Sequence, residues 1–190
     1  MKRVAISQRL VFNEYGMLQE TVDSAWGDFC SRCEIVPLYI PIRYNFKKLD
    51  FEGLILTGGG DLSDISGKEE DEIRDELETR LITYCLNNNI RILGVCRGMQ
   101  MINKYFGGTL KKTDGHVGEH SLSDGRKVNS YHNYAIDKPG KGLKVAAISL
   151  CDSIIEEIKY EDKIFAQMHH PERRMSEYDV SFVKGFFDVK

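Results

Sequence analysis

The segment Gly94-Val95-Cys96-Arg97-Gly98 sets a thiol between two glycines, after an apolar run and ahead of an amphipathic stretch that closes at Gly107-Gly108. A nucleophile on a sharp strand-to-helix turn projects its side chain clear of the sheet, as in the G-x-S-x-G elbow. The helix N-terminus that follows such a turn favours thiolate over thiol. Cys96 is therefore the candidate nucleophile, and it needs a base that takes a proton and later returns it to the leaving group. His169-His170-Pro171-Glu172 supplies one at the end of another apolar run, with Glu172 placed to orient the ring of His170 and Pro171 stiffening the link. His169 is the rival within the tetrapeptide. Adjacent side chains of an extended segment point to opposite sides, so only one of the two should face Cys96. A third segment, Thr57-Gly58-Gly59-Gly60-Asp61, ends a further run, and its glycines let backbone N–H groups turn toward a ligand. The N–H groups of Gly59 and Arg97 would make an oxyanion hole. The loop lacks the lysine and the serine or threonine of a phosphate-binding P-loop.

Three motifs that each end an apolar run require a fold that gathers strand ends. Strands are expected at residues 2–7, 34–39, 53–56 and 91–95, alternating with helices at 18–33 and 69–88, the latter carrying Ile73, Leu77, Leu81 and Tyr84 on its apolar side. This alternation predicts an α/β fold, a mostly parallel central sheet with helices on both faces, whose active site gathers at the carboxyl ends of the strands. Beyond Gly108 shorter strands are expected at 127–129, 142–149, 153–160 and 163–168, the last two forming a hairpin at Glu161-Asp162, with a closing helix at 176–187. A single domain over residues 1–190 is the simplest organisation for this length.

Composition excludes several function classes. Lysine plus arginine number 26 against 29 aspartates and glutamates, a formal charge of −3, so no basic field for nucleic acid exists. No apolar run approaches the about 20 residues that span a bilayer, and the start lacks a signal-peptide core, so a soluble, cytoplasmic protein is expected. Five cysteines, an odd number, are expected to be thiols rather than a disulfide framework. Cys30-x-x-Cys33 beside Trp26 and Phe29 reads as core packing, and His116 and His120, in a polar loop at 115–120, read as surface histidines bordering the cleft. No metal site is expected from them, since a lone C-x-x-C lacks a second ligand pair. The charged run at residues 67–80 reads as a solvated helix face.

Taken together, LILTGGGDL, the R-D-x-x-E of Arg74, Asp75 and Glu78, ILGVCRGMQMIN, VNSYHNYAI and MHHPER resemble the class I glutamine amidotransferase superfamily, and within it the γ-glutamyl hydrolases of the peptidase C26 group. The resemblance implies a flavodoxin-like domain with Cys96 as nucleophile, His170 as base and Glu172 as its partner. It implies that Gln100, Gly58 and Gly60, with the segment Asn129, Ser130, Tyr131 and His132, hold the glutamyl group. Met168, His169 and Tyr134 depart from the family pattern of a glutamine, an aromatic and a glutamine, which bears on the leaving group. The implied reaction is hydrolysis of a small-molecule γ-glutamyl amide through a thioester, with no metal or organic cofactor. A separate synthetase partner taking the ammonia is possible but not required. Among these hydrolases the chain is most similar to those of γ-glutamyl-CDP-amidate, linked to capsule phosphoramidate synthesis, with γ-glutamyl-aminobutyrate as the competing substrate. Arg97, Arg173, Arg174, Arg9 and Arg43 are the cations that could meet a diphosphate.

Overall fold

The computed structural model describes residues 1–113 and 116–188; Gly115 of the polar loop lies outside them. Strand β1 (Lys2–Ile6) leads into a hairpin of β2 (Arg9–Phe12) and β3 (Leu18–Thr21), helix α1 (Ala25–Arg32) and β4 (Ile35–Tyr39). Next come β5 (Gly53–Leu56), α2 (Ser63–Ser66), α3 (Glu69–Asn87), β6 (Arg91–Val95) and α4 (Arg97–Tyr105). The remainder is β7 (Thr109–Lys112), β8 (Val117–Ser121), β9 (Lys127–Tyr131), β10 (Tyr134–Lys138), β11 (Lys144–Ile148), β12 (Ile155–Tyr160), β13 (Ile164–Gln167), α5 (Pro171–Arg174) and α6 (Glu177–Asp188).

Among the described residues one sheet runs β4-β1-β5-β6-β13-β12-β10-β7, with β11 also on β12. Its first five strands are parallel. Period-two alternation sorts their side chains between two helical layers. Val4, Ile6, Ile55, Leu93 and Val95 pack with Trp26 and Phe29 of α1 and Val183 and Phe187 of α6. Ala5, Leu54, Leu56 and Ile92 pack with Leu77 and Leu81 of α3 and Met99 and Ile102 of α4. The fold is the flavodoxin-like α/β arrangement that the sequence predicts. No helix among the described residues is long and apolar enough to cross a membrane.

Two expectations are corrected. Residues 18–33 are not one helix: Leu18–Thr21 pairs antiparallel with Arg9–Phe12, and the helix starts at Ala25. The turn between the two strands explains the error, because the Asn13 side chain accepts from the N–H groups of Tyr15 and Met17 while Gly16 adopts φ 70°, a local turn signal stronger than the helical spacing downstream. The charged run is a solvated face only in part, through the exposed Glu69, Glu72, Glu76 and Arg80. Asp71, Arg74, Asp75 and Glu78 of α3 are buried.

Candidate active site

Strands β5, β6 and β13 are neighbours, and each ends in one of the three motifs. Cys96 follows β6 at φ 53° and ψ −108°, a conformation costly for any residue with a Cβ, and its N–H donates to Gln167 O of β13 at 2.8 Å. The turn closes because Gly98 has no side chain: a Cβ there would stand 2.2 Å from Leu56 O of β5. Gly94 faces Ile102 and Ala166 just as tightly, at 2.6 and 3.0 Å. The two glycines flanking the cysteine therefore serve the close seating of α4 on the sheet.

His170 follows β13 and turns its ring toward Cys96, while Nδ1 meets Glu172 Oε1 at 2.7 Å. Its backbone is held by an amide clamp in which Asn129 Oδ1 accepts from His170 N at 2.7 Å and Asn129 Nδ2 donates to His170 O at 2.9 Å. Burial alone would lower the imidazole's pKa, but the Cys96 sulfur and the Glu172 carboxylate override it and raise the value to about 9. Burial pushes the thiols of Cys30, Cys33 and Cys85 up to about 12. His169 points elsewhere, with Nε2 3.8 Å from Asp179 and 4.0 Å from Glu157.

The glycine loop after β5 is held from behind. Arg74 donates to Thr57 O at 2.7 Å and Gly59 O at 2.8 Å, with Gly58 O at 3.4 Å. Because C=O and N–H of a trans peptide point in opposite directions, the N–H groups of Gly58, Gly59 and Gly60 point away from Arg74. A Cβ on Gly58 would lie 2.7 Å from His170 Cε1 and 3.3 Å from Cys96 Cβ, so the bare glycine is what lets the loop close over the pair. Arg74 in turn bonds Glu78 at 2.8 Å, and Arg97 bonds Glu78 at 2.6 Å and Asp75 at 2.5 Å. Arg74, the residue that fixes the loop, was legible only as part of the R-D-x-x-E motif.

A cleft beside Cys96 is lined by Gly59, Gly60, Gln100, Tyr131, His132, His170 and Arg173. Gln100 donates through Nε2 to Tyr134 O and leaves Oε1 buried without a partner. Tyr131 sets its ring edge-on to His170 at 5.7 Å, and the Arg173 guanidinium stands 4.9 Å from the centre of the Tyr131 ring. Ser130 Oγ bonds His116 O instead of facing the cleft, and the His132 side chain is fully buried. A second cleft joins Gly58, Gly59 and His170 to Arg9, Asp23, Trp26 and Arg173.

The family model described as Glutamine amidotransferase class-I matches residues 10–189. The chain belongs to the class-I glutamine amidotransferase family. Relatives of the chain include a γ-glutamyl-CDP-amidate hydrolase from Campylobacter jejuni subsp. jejuni serotype O:2, 33% identical over 98% of each chain. Anthranilate synthase component 2 of Archaeoglobus fulgidus is 26% identical over 75% of this chain and 78% of its own. A solved glutamine amidotransferase from Thermotoga maritima superposes with a TM-score of 0.67 at 17% identity, covering 97% of this chain and 94% of its own, a likeness of fold.

Two expectations about the chain's cations and histidines are corrected. Arg97 is fully buried between Asp75 and Glu78, so its guanidinium cannot reach a substrate phosphate. Arg174 pairs with Glu119 at the surface, and Arg43 lines neither cleft. His116 is not a surface loop residue: it is buried between the exposed Asp152 carboxylate and the buried Glu156, and the His120 side chain is only 9% exposed.

Proposed function

We propose that this chain hydrolyses a γ-glutamyl amide by itself, with γ-glutamyl-CDP-amidate as substrate and glutamate and CDP-amidate as products, in capsule phosphoramidate synthesis. The observation that carries the reading is the meeting of Cys96 with the His170–Glu172 pair at the ends of adjacent strands. The Cys96 thiolate attacks the γ-carbonyl, and the oxyanion is held by the N–H groups of Gly59 and Arg97. The His170 imidazolium gives its proton to the departing nitrogen as the C–N bond breaks, leaving a γ-glutamyl thioester. Water then attacks the thioester, giving its proton to His170, and glutamate leaves as the thiolate re-forms. Glu172 holds the ring in its working tautomer. The buried, unpaired Gln100 Oε1 suits the α-ammonium of a glutamyl group, which supports the nearby cleft, with Gly60, Tyr131 and the backbone of the 129–132 segment along its wall and Gly58 in the adjoining cleft, as its seat.

Likeness over the whole length of the Campylobacter hydrolase supports the leaving group. So does Arg9, whose Cδ and Nε approach Gly59 and Gly60 and which makes no ion pair among the described residues. It and Arg173 line the cleft on the leaving-group side. The likeness to anthranilate synthase component 2 favours one second reading, a glutaminase subunit that feeds ammonia to a synthetase. Purified protein offered glutamine, γ-glutamyl-aminobutyrate and γ-glutamyl-CDP-amidate, with glutamate release as readout, separates the two. Fastest release from the CDP-amidate, loss of turnover in Cys96→Ala and His170→Ala, and a decline of the rate above pH about 9, where His170 loses its proton, are the expected results. Turnover of glutamine alone, and only with an added synthetase, overturns the hydrolase.

A further inference from the structure

Four buried or half-buried side chains converge on a point that no hydrogen bond fills. Glu156 of β12 presents Oε1 to His116 Nε2 at 3.1 Å, to His132 Nε2 at 3.4 Å and to His120 Nε2 at 3.6 Å. Although the first of these is short enough, the groups are not aligned for hydrogen bonding: all three ring nitrogens and both Glu156 oxygens are buried and unpaired among the described residues. The outward ring nitrogens of His132 and His116 are already engaged. His132 Nδ1 lies 3.1 Å from Tyr134 O, which can only accept, so Nδ1 carries the hydrogen and Nε2 of the neutral ring offers a lone pair. His116 Nδ1 lies 2.9 Å from the Asp152 carboxylate, which selects the same tautomer. Lone pairs and a carboxylate thus face one another in a site that excludes water, an arrangement that needs a cation.

We propose that His116, His120, His132 and Glu156 bind a structural zinc ion. A tetrahedral zinc with bonds of about 2.0–2.2 Å holds its ligand atoms about 3.3–3.5 Å apart; the ligand atoms of His116, His120 and Glu156 lie within 4.8 Å of one another, and His132, 3.4 Å from Glu156 Oε1 but outside that group, must draw in as the fourth. A proton can bridge only two of these atoms, whereas one divalent ion joins all four. Imidazole and carboxylate donors in a closed four-ligand set suit zinc, and Asp152 behind His116 supplies the outer carboxylate that such histidines commonly have. His116 and His120, four apart across the start of an extended strand, present rings to one side. The ion would join β8 and the β9–β10 turn to β12. Through Tyr131 and Asn129 on β9 that bond steadies the strand against which His170 is clamped. The site shares His132 with the wall of the Cys96 cleft but does not rest on the chemistry proposed there.

Full-length protein produced with zinc in the medium and analysed by plasma emission spectroscopy should carry a single zinc per chain. Stripping it with a strong chelator should lower Tm, and zinc but not magnesium should restore it. His120→Ala should lose both the metal and the response, and Cys96→Ala should keep both. Cobalt added to the stripped wild type should give the intense visible absorption of a tetrahedral site without a thiolate band, a readout that stands even if the histidine variants fail to fold. Substoichiometric metal with no Tm response to zinc, or a cobalt–thiolate band showing that cysteines hold the ion, overturns the proposal.

Discussion

The protein holds two buried charged clusters, and they are built on opposite principles. In the first, Arg74 and Arg97 face Asp75 and Glu78, two cations against two anions, and the Glu78 oxygens take bonds from Arg74, Arg97 and Ser7. In the second, one carboxylate faces three imidazoles whose outward nitrogens are held or crowded, and the inward atoms find nothing. Burying a charge is costly unless it is paired and hydrogen-bonded, so the first cluster is complete as the chain stands and the second is complete only with an added cation. The difference teaches where each cluster's stability resides. One is folded into the chain, and the other depends on what the solution supplies.

The largest effect should come from breaking the complete cluster. Burial alone would raise the Glu78 carboxyl, but Arg74 and Arg97 override it and hold it below the ordinary carboxylate range. Its contribution is therefore present above the ordinary carboxylate pKa and is lost as pH falls through the lowered value. Glu78→Ala leaves two buried guanidiniums with one partner fewer and should cost about 3–5 kcal/mol in denaturant unfolding at neutral pH. The gap to wild type should narrow in acid, where the wild type loses the same charge. A loss below about 1 kcal/mol would mean that the four groups are not a paired unit.

A smaller effect isolates what that cluster is for. Arg74 draws the carbonyls of Thr57 and Gly59 toward α3 and so presses Gly58 onto His170. Gly58→Ala puts a methyl 2.7 Å from His170 Cε1, which must move the ring away from Cys96. Because the obstruction is a side chain at a cleft and not backbone, Tm should change little while kcat/KM for glutamate release falls about 100-fold, or about 2.7 kcal/mol. Equal losses in stability and rate would show that the loop's grip serves the fold and not the site.

The same contrast governs what could be read from the sequence. Cys96, His170 and the glycine loop were legible because strand ends announce themselves: each closes an apolar run, and glycines mark the turns. The hairpin at Arg9–Thr21 was not, since the four-residue strand Leu18–Thr21 is too short to outweigh helical spacing beyond it. Arg74 and Glu78 sit in a run with as much charge as any surface helix, and only the register of α3 against β5 shows which of those charges turn inward. The histidine cluster was the least accessible, because its members come from positions 116, 120, 132 and 156, and no local spacing joins Glu156 to the rest.

The finest test reverses the sign. Glu156→Gln exchanges a buried carboxylate for an amide of nearly the same shape that can donate N–H to an imidazole lone pair. In metal-free protein it should be neutral or stabilising by up to about 1 kcal/mol, because an unpaired buried charge is removed and a donor gained. With zinc present the order should invert, since the variant loses its anionic ligand while the wild type gains the full linkage stabilisation of a bound ion. Glu78→Gln has no such condition: its partners are arginines fixed in the chain, so it should destabilise with or without metal. Paired unfolding curves of the two glutamine variants, each measured with chelator and with zinc, make the distinction. A metal-free Glu156→Gln that falls as far as Glu78→Gln would show that a proton shared among the imidazoles already supplies the missing charge, and the two clusters would then be alike.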